Sequence, residues 1–493
     1  MDHVDVLIVG AGISGIGAAW HLQKLCPDRT FVILEGRERI GGTWDLFRYP
    51  GIRSDSDMYT LGYRFRPWTD PKAIADGATI KNYLAEVVRD HDLERHIRFR
   101  HHVKRAAWST ADARWVVEAT GPDGAAVQIS CNFLYLCSGY YNYARGYAPD
   151  FPGQSDFGGR VIHPQFWPED LDYSGKRVVV IGSGATAITL VPAMADKAAR
   201  VTMLQRSPTY VVALPAQDAI ANRLRKVLPA KVAYGMVRWK NVLRTLIMFA
   251  YARRQPARMK EGILKMVREQ LGPDYDIDTH FTPRYNPWDQ RLCVVPDGDL
   301  FAAIKAGKAD VVTDRIARFD ATGIVLESGR HLAADIIVPA TGLELQLASD
   351  IAFSIDGEPR SLADSVNYKG AMFSDVPNLA LTFGYTNASW TLKADLVAEY
   401  VCRLLNTMRK RGMRQATPRV AGSVGHQPFL DFTSGYVQRA MDRFPKRGDR
   451  RPWALHQNYA RDLMMLRFGK IDEEMTFSNP APAEAQRRES VAA

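Results

Sequence analysis

Two stretches of this chain follow one plan. In "VDVLIVGAGISGIGAAWHL" an apolar run meets Gly10, Gly12 and Gly15 and passes into a helix-like segment. In "RVVVIGSGATAITLVPAMAD" a second apolar run meets Gly182, Gly184 and Ala187 and does the same. A strand, a glycine turn and a helix in that order predict a βα unit whose helix N-terminus holds a pyrophosphate. The first glycine allows the tight turn, the second lets phosphate approach the backbone, and the third position must be small for close helix packing. Pro192 falls inside the second predicted helix and is expected to kink it.

The strands that follow differ in their last residues. "TFVILE" ends in Glu35, about 20 residues past Gly15, where an acid accepts a ribose hydroxyl. The first loop therefore suits an adenine dinucleotide with a free 2′-hydroxyl. "RVTMLQRSPTY" carries Gln205, Arg206 and Ser207 instead. An arginine there suits a 2′-phosphate and so NADP over NAD, with Ser207 as an added hydrogen bond; a plain surface charge is the alternative for Arg206. The halves also end alike, in "FLYLCSG" (Cys137, Ser138, Gly139) and "IIVPATG" (Ala340, Thr341, Gly342), each after a strand-turn-strand pattern. The repeat predicts an α/β fold with two dinucleotide-binding, Rossmann-like domains of the two-dinucleotide-fold flavoprotein type. FAD belongs on the first and NADPH on the second.

The expected boundaries are 1–150 with 335–478 for a discontinuous FAD-binding domain, 151–170 for a linker, and 171–214 with 286–334 for the NADPH-binding domain. Residues 215–285 form a basic helical insert in the NADPH domain, and Pro, Ala and charge make 479–493 a disordered tail. The net charge of +10 is local: residues 222–269 hold 13 Lys/Arg and 2 acids, or +11. Such a segment attracts anions, a membrane surface or nucleic acid; no recognition motif accompanies it, which excludes nucleic acid. A lid over the site, weak peripheral membrane contact and a solvated basic face remain as readings of the insert. No apolar run approaches the roughly 18 residues of a membrane span, and the acidic start is no secretory signal. The 5 scattered cysteines predict reduced thiols and a cytoplasmic location, and no metal-ligand cluster.

A disulfide reductase of this architecture would carry its redox cysteines just after Glu35. Here that region reads "EGRERIGGTWDLFRYPGIRSDSDMY", without cysteine. What remains is flavin reduction by NADPH and electron delivery to oxygen or another acceptor. Between the two units lies "FGGRVIHPQFWP", with Phe157, Gly159, His163, Trp167 and Pro168. Through these five residues the chain resembles the class B flavin monooxygenases and carries the pattern of their type I Baeyer–Villiger members. "GGTWDLFRYPGIRSDSDMYTL", "CSGYYNY", "QRSPTY", "NPWDQRLCVVP" and "GYTNASWTLKADL" are similar to the ethionamide-activating monooxygenases of that class.

The resemblance implies oxygenation of ketones to esters or lactones, and of sulfides or thioamides, through a C4a-peroxide of reduced FAD. It assigns the catalytic guanidinium to Arg291 and its partner acid, beside the flavin, to Asp55, with Asp57 two residues away as a near look-alike. Gly41, Gly42, Thr43 and Trp44 should run along the flavin, and His163 becomes a hydrogen-bonding hinge at the domain junction. Gln290 departs from the pattern, because many ketone-oxidising relatives have Lys there against the 2′-phosphate; more of the selection then falls on Arg206. Trp288, Tyr385, Asn387 and Trp390 are candidates for the substrate pocket, with core packing as the alternative for each. An S- or N-oxygenase without ketone activity and a non-oxygenating NADPH:acceptor reductase are the competing functions.

Overall fold

A computed structural model describes residues 1–290 and 292–480. Arg291, and the expected tail from residue 481 onward, lie outside the described residues. The larger sheet has nine strands among the described residues. Its parallel half places Asp2–Val9 between Phe31–Leu34 and Ala126–Leu136, with Ile97–Arg98 beyond Phe31–Leu34. Ala126–Leu136 then turns the sheet into an antiparallel meander through Arg114–Thr120 and His102–Ser109. The smaller sheet has five strands, in the order Ala309–Thr313, Arg200–Gln205, Arg177–Ile181, Ile336–Pro339 and Arg160–Val161, all parallel.

Two boundary expectations are corrected by pairing. Ile336–Pro339 pairs with Arg177–Ile181, so the second unit runs to about residue 339 rather than stopping at 334. Arg160–Val161, expected to be linker, pairs as the outermost strand of the same sheet. Hydrogen-bond register assigns both strands, and an apolar run carries no mark of which sheet it will join. Asn479, expected in the tail, is held in place: its side chain accepts from the Arg414 N–H at 2.8 Å and donates to the Gly412 carbonyl at 2.6 Å.

Each sheet sends a helix from its glycine turn: α1 (Ile13–Leu25) from the larger, and from the smaller the fifth helix in chain order, α5 (Ala185–Met194), which runs on past Pro192. Between them stand α2 (Thr43–Leu46), α3 (Met58–Leu61) and α4 (Gly77–Asp90). The insert contributes α6 (Ala219–Val227), α7 (Ala230–Arg254), α8 (Pro256–Leu271) and α9 (Ile277–His280), followed by α10 (Asp299–Lys305). Leu392, Leu396, Val397, Tyr400, Val401, Leu404, Leu405 and Met408 recur at helical spacing. They lie buried along α11 (Trp390–Arg411), which packs on α1 and closes at Gly412 with φ +64°.

The insert interrupts the second unit in sequence but grips both units in space. On α7 the buried Arg238 guanidinium donates to the carbonyls of Tyr59 (2.8 Å), Thr60 (3.3 Å) and Gly62 (2.7 Å), and stands 3.6 Å from Asp395. Asn241 donates to Asp57 at 2.9 Å. These partners all belong to the first unit. By contrast α8 packs on the strand Tyr210–Leu214 and on α10 of the second unit. Arg53, from the first unit, forms an ion pair with Asp299 at the start of α10.

Candidate functional site

Both glycine turns open onto one cavity of about 1850 Å³. A single ligand pocket is usually about 300–1000 Å³, so this one has room for more than one ligand. The turns are built alike to the hydrogen bond. Gly10 N–H donates to Leu34 O at 2.8 Å, and Gly182 N–H donates to Leu204 O at 2.8 Å. Glu35 and Gln205 therefore occupy the same place in the two units. Gly10 (φ +101°) and Gly182 (φ +135°) need glycine, because a Cβ would lie 2.8 Å from Cys137 O and 2.4 Å from Ala340 O.

Gly12 and Gly184 are different. A Cβ at Gly184 would meet no protein atom within 4 Å, and one at Gly12 would touch only Gly42 at 3.5 Å. Protein packing does not demand a bare backbone at these positions, which leaves open space for a group seated in the cavity against them. The first turns of α1 and α5 have no side-chain cap, which leaves their N–H groups for such a group. Gly15 lies beneath the first turn, and its Cβ would sit 1.8 Å from Gly10 O. Ala187 is buried in the matching place. The residues fit two dinucleotides.

Glu35 is buried at the cavity wall. One carboxylate oxygen accepts the Ala11 N–H at 2.7 Å, and the other accepts the Arg37 N–H at 2.9 Å. Burial raises its pKa, and these two N–H groups oppose the rise. At the matching place Gln205 is turned inward, donating to His280 O at 2.8 Å and Thr313 Oγ1 at 2.9 Å. That leaves Arg206 and Ser207 exposed at the cavity. Ser183 Oγ fastens their turn to the glycine loop through Ser207 O at 3.0 Å.

Gly41 (φ +116°) and Gly42 (φ +56°) carry the chain past Gly12 into Thr43 and Trp44, all on the cavity wall. Sequence reasoning missed what holds this turn. Asp45 is buried and takes Arg37 and Lys81, each at 2.5 Å. Burial works to raise its pKa, and the Lys81 and Arg37 hydrogen bonds outweigh it and hold the carboxyl low. The one available signal was the acid directly after "GGTW".

Asp55 is exposed to the cavity, and its charge adds to the burial that pushes the Tyr49 hydroxyl up to about 12. Asp57 is engaged otherwise: it caps α3 by accepting Thr60 N–H at 3.1 Å and also accepts from Asn241. The two acids so close in sequence are thus separated by geometry. Arg291 lies outside the described residues; its neighbours Gln290 and Leu292 line the cavity.

Trp288, Tyr385, Asn387 and Trp390 also line it. Trp390 stacks on Tyr140 at 5.0 Å and donates to Ser14 Oγ at 2.7 Å. Tyr385 donates to the buried Asp462 at 2.7 Å, and Lys393 meets the same carboxylate at 2.8 Å. Asn387 is tied to Gln457 O at 3.0 Å. Asp462 and Gln457 had no sequence signal, since they come from a separate stretch near the C-terminal end.

The linker pattern stands behind the cavity. Phe157 packs edge-on against Phe319, and a Cβ on Gly159 would lie 2.4 Å from Asp335 O. Trp167 packs partly buried on the second unit's core, and Pro168 O accepts the Leu171 N–H at 3.3 Å. His163 pairs through Nε2 with Tyr147 O at 3.3 Å, and its Nδ1 accepts the Gln165 N–H at 3.2 Å. Tyr147 in turn lines the cavity. Both bonds require the neutral ring with its proton on Nε2.

Burial lowers the His163 pKa, and the Tyr147 carbonyl opposes that. A histidine depressed in the fold stabilises it fully above the ordinary imidazole pKa of about 6.5, and that contribution is lost as pH falls below this value. The melting-temperature difference between wild type and His163→Gln should therefore be constant above about pH 6.5 and shrink below it. A difference independent of pH would refute the neutral assignment.

All five cysteines are free and buried, and burial pushes Cys137, under the first loop, up to about 12. A buried thiol held in its neutral form is a poor nucleophile. No group of metal-ligating side chains occurs among the described residues. No helix among them is long and apolar enough to cross a membrane.

The flavin-binding monooxygenase-like family model matches residues 70–349, and an NAD(P)-binding Rossmann-like domain matches residues 8–70. The FAD-containing monooxygenase EthA of Mycobacterium tuberculosis (strain ATCC 25618 / H37Rv) is 57% identical over 485 residues, covering 98% of this chain and 99% of the relative. Two solved structures share the fold. An open crystal structure of cyclohexanone monooxygenase has a TM-score of 0.75 at 19% identity and covers 97% of this chain and 100% of its own. A complex of OTEMO with FAD and NADP has a TM-score of 0.73 at 19% identity and covers 96% and 99%. The family match spans more than half the chain and the curated relative nearly all of it: the chain belongs to the flavin-binding monooxygenase-like family.

Proposed function

We propose that this chain is an FAD- and NADPH-dependent monooxygenase that inserts one oxygen atom of O2 into ketones, giving esters or lactones, and also oxygenates sulfur in sulfides or thioamides. One observation carries the reading: two uncapped helix N-termini, one beside Glu35 and one beside Arg206, open onto a single cavity. FAD, when bound, supplies a reduced flavin that activates O2. The chain supplies the rest. Glu35 receives a ribose hydroxyl on the first loop, and Arg206 and Ser207 receive a 2′-phosphate on the second. Gly42, Thr43 and Trp44 bring backbone and an aromatic wall to the flavin. Asp55 orients the Arg291 guanidinium, which keeps its charge at any working pH and so holds negative charge on the reacting oxygen.

The test supplies the holoenzyme with NADPH, labelled O2, a linear ketone and a thioether together. One labelled oxygen should enter the ester and one the sulfoxide. Label in the sulfoxide alone would make the chain an S-oxygenase, and NADPH consumption yielding only hydrogen peroxide would make it a reductase. Either result sinks the ketone reading. In the same assay Arg206→Ala should raise KM for NADPH about 10- to 100-fold, the worth of a charge-assisted phosphate contact, and leave NADH nearly unchanged.

A further inference from the structure

The insert supplies a wall of the cavity to which the proposed chemistry gives no task. Arg244, Thr245 and Met248 of α7 line it, with Met259 of α8 and Trp288. Asn241, Arg244, Thr245 and Met248 are spaced i, i+3, i+4 and i+7, so they share one face of α7. That face is turned inward, because Asn241 is bonded to Asp57, and Arg238, nearly one turn earlier, to the carbonyls of Tyr59 and Gly62. Trp288 meets Phe249 of the same helix edge-on at 6.1 Å. Two flexible thioethers and an indole make an apolar strip that adapts to a chain. A guanidinium stands one turn along α7 from that strip.

The other cations on the described cavity wall are accounted for. Asp45 takes Arg37, and Asp299 takes Arg53. Lys104 and Arg315 stand at the nucleotide ends: His101 N–H donates to Glu35 O at 2.9 Å, and Asp314 N–H donates to Gln205 O at 3.0 Å. Arg206 is at the second nucleotide turn, and Arg439 lies over the Tyr147 ring at 3.5 Å. Arg244 belongs to neither nucleotide turn, is exposed, and pairs with no carboxylate among the described residues. Asp218 lies within range of its charge but is already held by Lys240 and by the Ala221 N–H at 3.0 Å. A guanidinium fork without an acid, beside an apolar strip, suits an elongated molecule that ends in a carboxylate. We infer that Arg244 is a specificity-determining residue that receives the carboxylate of such a substrate, whose chain lies along Met248, Met259 and Trp288. This rests on the oxygenase reading for the carbonyl or thioether at the other end of the chain.

Calorimetric titration of the oxidised holoenzyme tests the assignment without turnover, so its failure is separate from that of the labelled-oxygen assay. The probes are a linear acid carrying a methyl ketone at its far end, its methyl ester, and the matching ammonium-ended ketone. The acid should bind about 10- to 100-fold more tightly than the ester, the range of a charge-assisted contact, and added salt should narrow the gap. Arg244→Gln should close the gap, and Arg244→Glu should invert it in favour of the ammonium compound, which a merely structural role would not do. Equal affinity for acid and ester in the wild type, or no binding of the acid, overturns the proposal. So does a gap that survives in Arg244→Gln while NADP+ binding weakens as in Arg206→Ala, since the guanidinium then serves a coenzyme phosphate.

Discussion

Replacing Gly15 by alanine is expected to give a protein that purifies without flavin. The added Cβ would stand 1.8 Å from Gly10 O. Gly10 cannot retreat, because it is held at φ +101° with Cys137 O against its other side. Ordinary overpacking costs about 1–3 kcal/mol when neighbours can shift. Here both contacting groups are backbone, so the N-terminus of α1 must move off the turn, and the N–H groups aimed at the pyrophosphate move with it. Flavin absorbance per protein should fall at least about tenfold, and the melting temperature should drop. Gly184→Ala is the matched control. Its Cβ meets no protein atom, so fold and flavin content should survive while KM for NADPH rises. A yellow, fully loaded Gly15→Ala protein would show that the first loop is not a phosphate cradle.

Arg291→Ala should leave flavin content and NADPH oxidation near wild type and cut labelled product by about 10²–10³-fold or more, the usual cost of losing a preorganised charge stabiliser. The missing flux should appear as hydrogen peroxide. Arg291→Lys should rescue only in part, since an ammonium is strongly hydrated and lacks the planar fork. Under the proposed pairing of Asp55 with Arg291, Asp55→Asn should lose less, about 10- to 100-fold, because a guanidinium keeps its charge when an orienting carboxylate is removed. Undiminished oxygenation by Arg291→Ala would remove that residue from the chemistry.

Local pattern was enough to find the glycine turns, α11 with its glycine stop, and the position of Glu35 against Gln205. Each depends on residues within one or two elements of each other. Partners distant in the chain were not legible. The sheet that takes Ile336–Pro339, the clasp of Arg238 on Tyr59, Thr60 and Gly62, and the pair Lys393 with Asp462 are set by contacts across 69 to 179 positions or by strand register. Asp55 and Asp57 show the same limit at close range. Both are acids in one short run, and the cap on α3 and the bond from Asn241 that engage Asp57 come from the fold.

The elbow at Gln255 and Pro256, where α7 ends and α8 begins, has a mechanical consequence. One arm is bolted to the first unit by Arg238 and the other packs on the second, while Met248 and Met259 face the cavity from the two arms. The room left for an acceptor molecule is then governed by a bend angle as well as by the bulk of the lining. Stiffening that corner would change which molecules are admitted without touching any residue that meets them.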